Sequence, residues 1–147
     1  MKTLATVSLL IFAVIFTSCD ETKKVIDVAG SVQLTGNYTV SAINGKKLSN
    51  TANPTFTLSA LDNSVRGTTG CNSVFGTYNI DLYAISFSDL AVSEKACLDK
   101  NIMKSERDFV DALNNTGSYS LTNGALTFYS KTDRSVVLTA TKDANKE

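Results

Sequence analysis

Three cysteines (Cys19, Cys71 and Cys97) and the complete absence of histidine set the chemistry open to this chain of 147 residues. Without imidazole, Ser-His-Asp and Cys-His nucleophilic catalysis are excluded, as are the ligand sets of most catalytic zinc sites. The thiols are too few for structural zinc, and none stands in the Cys-x-x-Cys spacing of a redox pair. Carboxylates remain, since a facing Asp/Glu pair can cleave a glycosidic bond unaided. Most acids here fall in turns, on a helix surface or near the N-terminus, so no catalytic residue is expected. The run Gly70-Cys71-Asn72-Ser73-Val74-Phe75-Gly76-Thr77-Tyr78 looks at first like a phosphate loop. It lacks the lysine and following hydroxyl that such a loop needs, and a strand pattern follows it. Fourteen basic against fourteen acidic side chains leave no net charge, which argues against a nucleic-acid partner. No cofactor and no metal are expected.

The N-terminus carries one lysine, Lys2, and then an apolar run from Leu4 to Phe16. As a helix, thirteen residues reach only about 20 Å, short of a hydrocarbon core of roughly 30 Å. A short basic start, an apolar stretch and small residues before a polar break read as a secretory signal over residues 1–18. The ending Phe16-Thr17-Ser18-Cys19 resembles the lipobox of bacterial lipoproteins, with Phe16 where leucine is usual. That resemblance implies that Cys19 is lipidated and becomes the first residue of a chain held permanently on a membrane. Asp20 and Glu21 resemble an inner-membrane retention signal of enteric bacteria and, equally, a surface-export signal of Bacteroidetes-like lipoproteins, which leaves the leaflet open. Residues 19–35 read as the lipidated cysteine and a flexible tether. Once Cys19 is assigned to lipid, Cys71 and Cys97 form an even pair in an exported domain, which favours a disulfide.

From Gly36 onwards, short alternating runs separated by turn residues predict an all-β barrel or sandwich. Strands are expected over Asn37–Ile43, Thr55–Leu61, Ser64–Thr68, Gly76–Ile80, Ala84–Phe87, Ser118–Thr122, Ala125–Tyr129 and Ser135–Thr141. Asn44-Gly45 and Asn123-Gly124 are strong hairpin signals. Gly70, Asn72 and Gly76 tolerate positive φ, which suits a tight bulged corner. The phenylalanines Phe56, Phe75, Phe87, Phe109 and Phe128 suit a core as well as a pocket. One segment breaks the period of two. Between Asp99 and Asn114, Ile102, Met103, Phe109, Val110 and Leu113 fall on one helical face, and Asp99 can cap the start. Lys104–Asp108 and Arg107–Asp111 are i, i+4 pairs on the other face.

Glu106 interrupts the apolar face of that helix. Its stem can bend towards water, or it can serve as a structural carboxylate that accepts turn N–H groups or pairs with Arg66.

The segments GCNSVFGTY, ISFSDLAVSEKAC and IMKSERDFVDAL together resemble the META domain of HslJ-like heat-shock lipoproteins. The matching positions are Gly70, Cys71, Asn72, Gly76, Tyr78, Ala96, Cys97, Glu106, Phe109 and Leu113, with Tyr38-Thr39-Val40 in place of an opening Trp-x-Leu. The resemblance covers about residues 36–142. It implies a mainly β fold: a small antiparallel β-barrel-like domain with one packed α-helix at about 99–114. It also implies a non-enzymatic lipoprotein of the bacterial cell envelope, outer membrane included, linked with stress tolerance. The expected partners are the membrane, through Cys19, and an envelope protein. The alternative is a carrier or pilotin-like binder of lipid or hydrophobic peptide inside a cracked barrel.

Overall fold

The computed structural model describes residues 29–48 and 53–144. The signal segment, Cys19 and residues 20–28 lie outside the described residues. The first described element, α1, is a helical stretch over residues 29–34. Nine strands follow: β1 (Gly36–Ile43), β2 (Lys46–Lys47), β3 (Thr55–Ser59), β4 (Ser64–Thr68), β5 (Ser73–Asp81), β6 (Ala84–Val92), β7 (Thr116–Thr122), β8 (Ala125–Ser130) and β9 (Val136–Lys142). Helix α2 (Lys100–Asn114) separates β6 from β7.

All neighbouring strands pair antiparallel, and β1 also pairs with β9. Eight strands therefore close into a barrel, with β2 as a short addition beside β1. Closure removes the open edges that an isolated sheet would expose. The wall has one thin seam. Strands β6 and β7 share the single register pair Ala84↔Ser118. Helix α2 packs against β6, β9 and β1.

Alternation dictates what fills the barrel. Phe56 and Leu58 of β3 are buried, while Thr57 between them is exposed. Tyr38 stacks on Phe56 with ring centroids 5.2 Å apart, and Phe56 meets Phe109 of α2 at 6.0 Å and Phe128 at 6.1 Å. Phe87 contacts Phe128 edge-on at 5.4 Å. Rings at these separations interdigitate as a packed core. Phe75 departs from the expected set: it faces outward and is half exposed, because the alternation of β5 turns Val74 inward instead.

Helix α2 begins where the sequence places it. Asp99 accepts from the Asn101 N–H at 2.8 Å, satisfying an orphan donor of the first turn. At the other end, Asn115 donates to the Asp111 carbonyl and the Thr116 hydroxyl to that of Ala112. Phe109, Ala112 and Leu113 form its buried stripe. Met103, expected on that stripe, is instead exposed. Lys104 and Asp108 form the anticipated ion pair at 2.6 Å, on the solvent side.

Part of the segment expected as a tether is ordered. Residues 29–34 are helical, and Leu34 is fully buried. The Tyr38 hydroxyl donates to the Leu34 carbonyl at 2.8 Å, and the Thr35 hydroxyl accepts from the Ala60 N–H at 3.1 Å. These bonds fix α1 across the end of the barrel opposite α2.

Candidate functional site

The turn between β4 and β5 gathers most of the residues that the sequence singles out. The Thr69 N–H donates to the Asn72 carbonyl at 2.8 Å, and the Asn72 N–H returns to the Thr69 hydroxyl at 3.0 Å. That hydroxyl donates its proton to Glu106 Oε2 across 2.5 Å. Glu106 thus accepts from a turn hydroxyl; among the described residues no turn N–H is its donor. Arg66 is not its partner either. The guanidinium lies with Asp62 at 3.1 Å, because both flank the exposed β3–β4 turn.

Asn72 is the hub of this corner. Its side chain is buried, and its Oδ1 accepts from the Lys95 N–H at 2.8 Å and from the Ser93 hydroxyl at 3.0 Å. The Ser93 hydroxyl in turn accepts from the Ser73 N–H at 3.0 Å. Residues 93–97 have no regular structure of their own. Asn72 supplies the backbone partners that a strand neighbour would otherwise provide. Cys71 and Cys97 are joined by a disulfide, with Cα atoms 6.3 Å apart, that ties the same two segments covalently. Together these bonds hold the lead-in to α2 against the barrel.

The glycines of the corner act for different reasons. Gly70 has φ +96°, a left-handed conformation that only glycine adopts cheaply. Neither Asn72 nor Gly76 shares it, and the bulge expected of this corner falls at Gly76. At Gly76 the constraint is space. A Cβ there would stand 2.9 Å from the Ser88 carbonyl and 2.8 Å from Leu90 Cδ2, at the bulge where β5 and β6 slip register. Tyr78 points into the core. Burial raises its phenol pKa, helped by the negative charge of Asp62 and by Tyr119. The corner is a clamp, with its polar groups turned on one another.

The larger hollow lies elsewhere. A groove of about 680 Å³ runs along the β6–β7 seam, lined by Tyr83, Tyr119, Tyr129, Lys131 and Arg134. Tyr83 is exposed on the β5–β6 turn. The Tyr129 hydroxyl shares a hydrogen bond with Ser120 at 3.1 Å, which fixes its ring on the outer wall. Lys131 and Arg134 come from the β8–β9 turn, and Arg134 holds φ +59°. Asp133 between them is exposed too, with its carboxylate engaged by its own turn. Its carboxylate accepts from the Ser135 hydroxyl at 2.8 Å and N–H at 3.1 Å, bonds that hold its pKa below the usual range. The groove therefore presents aromatic faces and two cations. Its members come from three separated stretches of chain, so no local motif announces it.

The sequence profile of the META domain matches residues 32–143. The chain belongs to the META domain family. Among curated proteins no match is found. Two structures solved by NMR share the fold of this META domain. One, from Burkholderia xenovorans, is 20% identical with a TM-score of 0.63, covering 80% of this chain and 89% of the other. The second is 17% identical with a TM-score of 0.58, covering 74% of this chain and 90% of the other. The clamp of Gly70, Cys71, Asn72, Cys97 and Glu106 lies within the matched region of the META domain, as does the seam groove.

Proposed function

We propose that this META protein is a non-enzymatic, lipid-anchored module of the bacterial cell envelope that binds an envelope protein on its outer wall. Where the barrel of a carrier would hold lipid, the rings of Tyr38, Phe56, Phe87, Phe109 and Phe128 occupy the space. That packing is the observation that carries the reading, since it moves binding from the interior to the surface. The seam groove, with tyrosine faces and the cations Lys131 and Arg134, suits a negatively charged, polar segment of a partner. Anchoring rests on the lipobox-like Phe16-Thr17-Ser18-Cys19 and the apolar run before it.

The test is crosslinking in intact cells followed by purification of the chain from membranes. Wild type should capture a protein partner, and Lys131→Ala with Arg134→Asn should lose it while the fold is kept. Asparagine tolerates positive φ, so the second change removes charge without adding strain. Lipid alone in the purified material, equal in both chains, would support the carrier instead. Cys19→Ala should move the protein from the membrane to the soluble fraction.

A further inference from the structure

The end of the barrel that α1 closes is unusual in what its turns display. Val32 of α1 is 62% exposed, Leu61 of the β3–β4 turn is fully exposed, and Leu82 and Tyr83 of the β5–β6 turn are 43% and 80% exposed. The hydrogen bond from Ala60 to Thr35 joins the first turn to α1, and the Tyr119 hydroxyl, donating to the Leu82 carbonyl, lies 3.1 Å from where a Gly30 Cβ would stand. These four side chains therefore share one end. Turn tips ordinarily carry Gly, Asn, Asp or Ser. Two other hairpins follow that rule, Asn44-Gly45 at the far end and Asn123-Gly124 at this one, both at positive φ. The β5–β6 turn puts Leu82 at φ +58°, a backbone conformation costly for a leucine, and so holds an apolar pair at the tip.

The chain leaves the described domain at this same end. Nine residues (20–28) lie between Cys19 and residue 29, and the ten steps span at most about 35 Å at full extension. If Cys19 carries the lipid, this end is the one nearest the bilayer. Its charges are mixed rather than basic: Asp62 pairs with Arg66, Asp81 flanks the turn, and the Lys142 ammonium donates to the Gln33 carbonyl at 3.2 Å.

We propose that Val32, Leu61, Leu82 and Tyr83 form a face that rests on the lipid surface, orienting the barrel with α2 and the clamp away from the membrane. The occupant is the interfacial region of the bilayer, engaged by apolar insertion and aromatic anchoring rather than by attraction to anionic headgroups. The proposal rests on the anchor reading above, and the experiment separates the two.

The chain has no tryptophan, so single substitutions make clean reporters. The lipidated full chain with Leu61→Trp, with Tyr83→Trp, or with Val136→Trp at the far end is reconstituted into phosphatidylcholine vesicles with and without brominated acyl chains. Side chains seated ~5–10 Å into the headgroup boundary should lose about half their emission to bromine at Leu61→Trp and Tyr83→Trp, and next to none at Val136→Trp. Added salt should leave the quenching unchanged. A chain that fails to float with vesicles overturns the anchor reading and the docked face with it. A chain that floats with Leu61→Trp and Tyr83→Trp unquenched, or quenched no more than Val136→Trp, overturns the docked face alone. A blue shift that appears without vesicles and grows with protein concentration assigns the face to a second copy of the chain and also overturns the proposal.

Discussion

Asn72→Ala is the substitution that most directly tests the clamp. The side chain is buried and accepts two hydrogen bonds, from the Lys95 N–H at 2.8 Å and the Ser93 hydroxyl at 3.0 Å. Each is worth about 1 kcal/mol net, and a donor left without a partner costs about 1–3 kcal/mol more where it is shielded from water. Lys95 and its neighbours are exposed, so water can reach the freed N–H, and the Ser93 hydroxyl can rotate. The lower end of that range applies, giving a loss of about 2 kcal/mol. For a domain of this size that is a fall in Tm of roughly 8 °C at about 4 °C per kcal/mol. The assay is thermal unfolding followed by circular dichroism, with the disulfide kept oxidised in both proteins. Hydrogen exchange should show the Lys95 amide losing protection first, because it loses the Asn72 Oδ1 acceptor. Asn72→Asp keeps the acceptor but replaces the amide donor that faces the Lys95 carbonyl at 3.4 Å, and should fall between the two. A Tm within about 2 °C of wild type for Asn72→Ala, roughly 0.5 kcal/mol on the same scale, would refute the hub role and leave the disulfide as the sole tie.

Three further outcomes are expected. Glu106→Gln keeps the shape but weakens the acceptor for the Thr69 hydroxyl, and should lower stability by about 1–2 kcal/mol in urea unfolding; unchanged stability would refute the structural role of the carboxylate. Replacing Cys71 and Cys97 together with serine should cost about 3.5 kcal/mol in the chain-entropy account of a 26-residue separation. Thiol titration of the denatured, unreduced wild-type domain should find neither thiol free. Burial, and secondarily the neighbouring Tyr78, pushes the Tyr38 phenol up to about 12 from 10.0. The folded state therefore holds its proton where the unfolded chain has released it. Stability should be flat below pH 10 and fall by about 2–3 kcal/mol as pH rises from 10 to 12. Tyr38→Phe should flatten part of that fall, and an identical alkaline slope in both proteins would show that the phenol is not its source.

The legible parts of this molecule are those written locally. Tyr38 and Val40 or Phe56 and Leu58 alternate with polar neighbours, so strand, face and core membership follow from a period of two. Asp99 caps α2 with its own side chain, and Asn44-Gly45 turns where a left-handed pair must stand. The illegible parts depend on partners far along the chain. Glu106 stands out on the apolar face of its helix, but its partner Thr69 lies 37 residues away and could only be guessed at as a turn group or as Arg66. Gly76 reads as a conformational glycine, yet what demands it is the Ser88 carbonyl across the bulge. Residues 29–34 (Ala-Gly-Ser-Val-Gln-Leu) are uncharged and too few to show a period, so their helix rests on tertiary burial of Leu34 rather than on local pattern. The seam groove was least legible, because it exists only where β6 and β7 fail to pair.

That failure links the clamp to the groove. Strands β6 and β7 meet at one register pair because the chain between them leaves the wall to make α2 and returns displaced. A barrel held there by so little pairing would open at the seam unless something else bound the departing chain. The Cys71–Cys97 disulfide and Asn72 grip that chain within a few residues of where β6 ends, and Glu106 fastens the second turn of α2 to the same corner. With the departing strand and helix fixed, Phe109 keeps its place against Phe56 and the barrel stays full. The wall is then free to remain unpaired beyond Ala84, where Tyr119, Tyr129 and Arg134 face the solvent groove. On this reasoning the family motif does not line a site. It supplies the rigidity that lets a closed barrel keep an open seam.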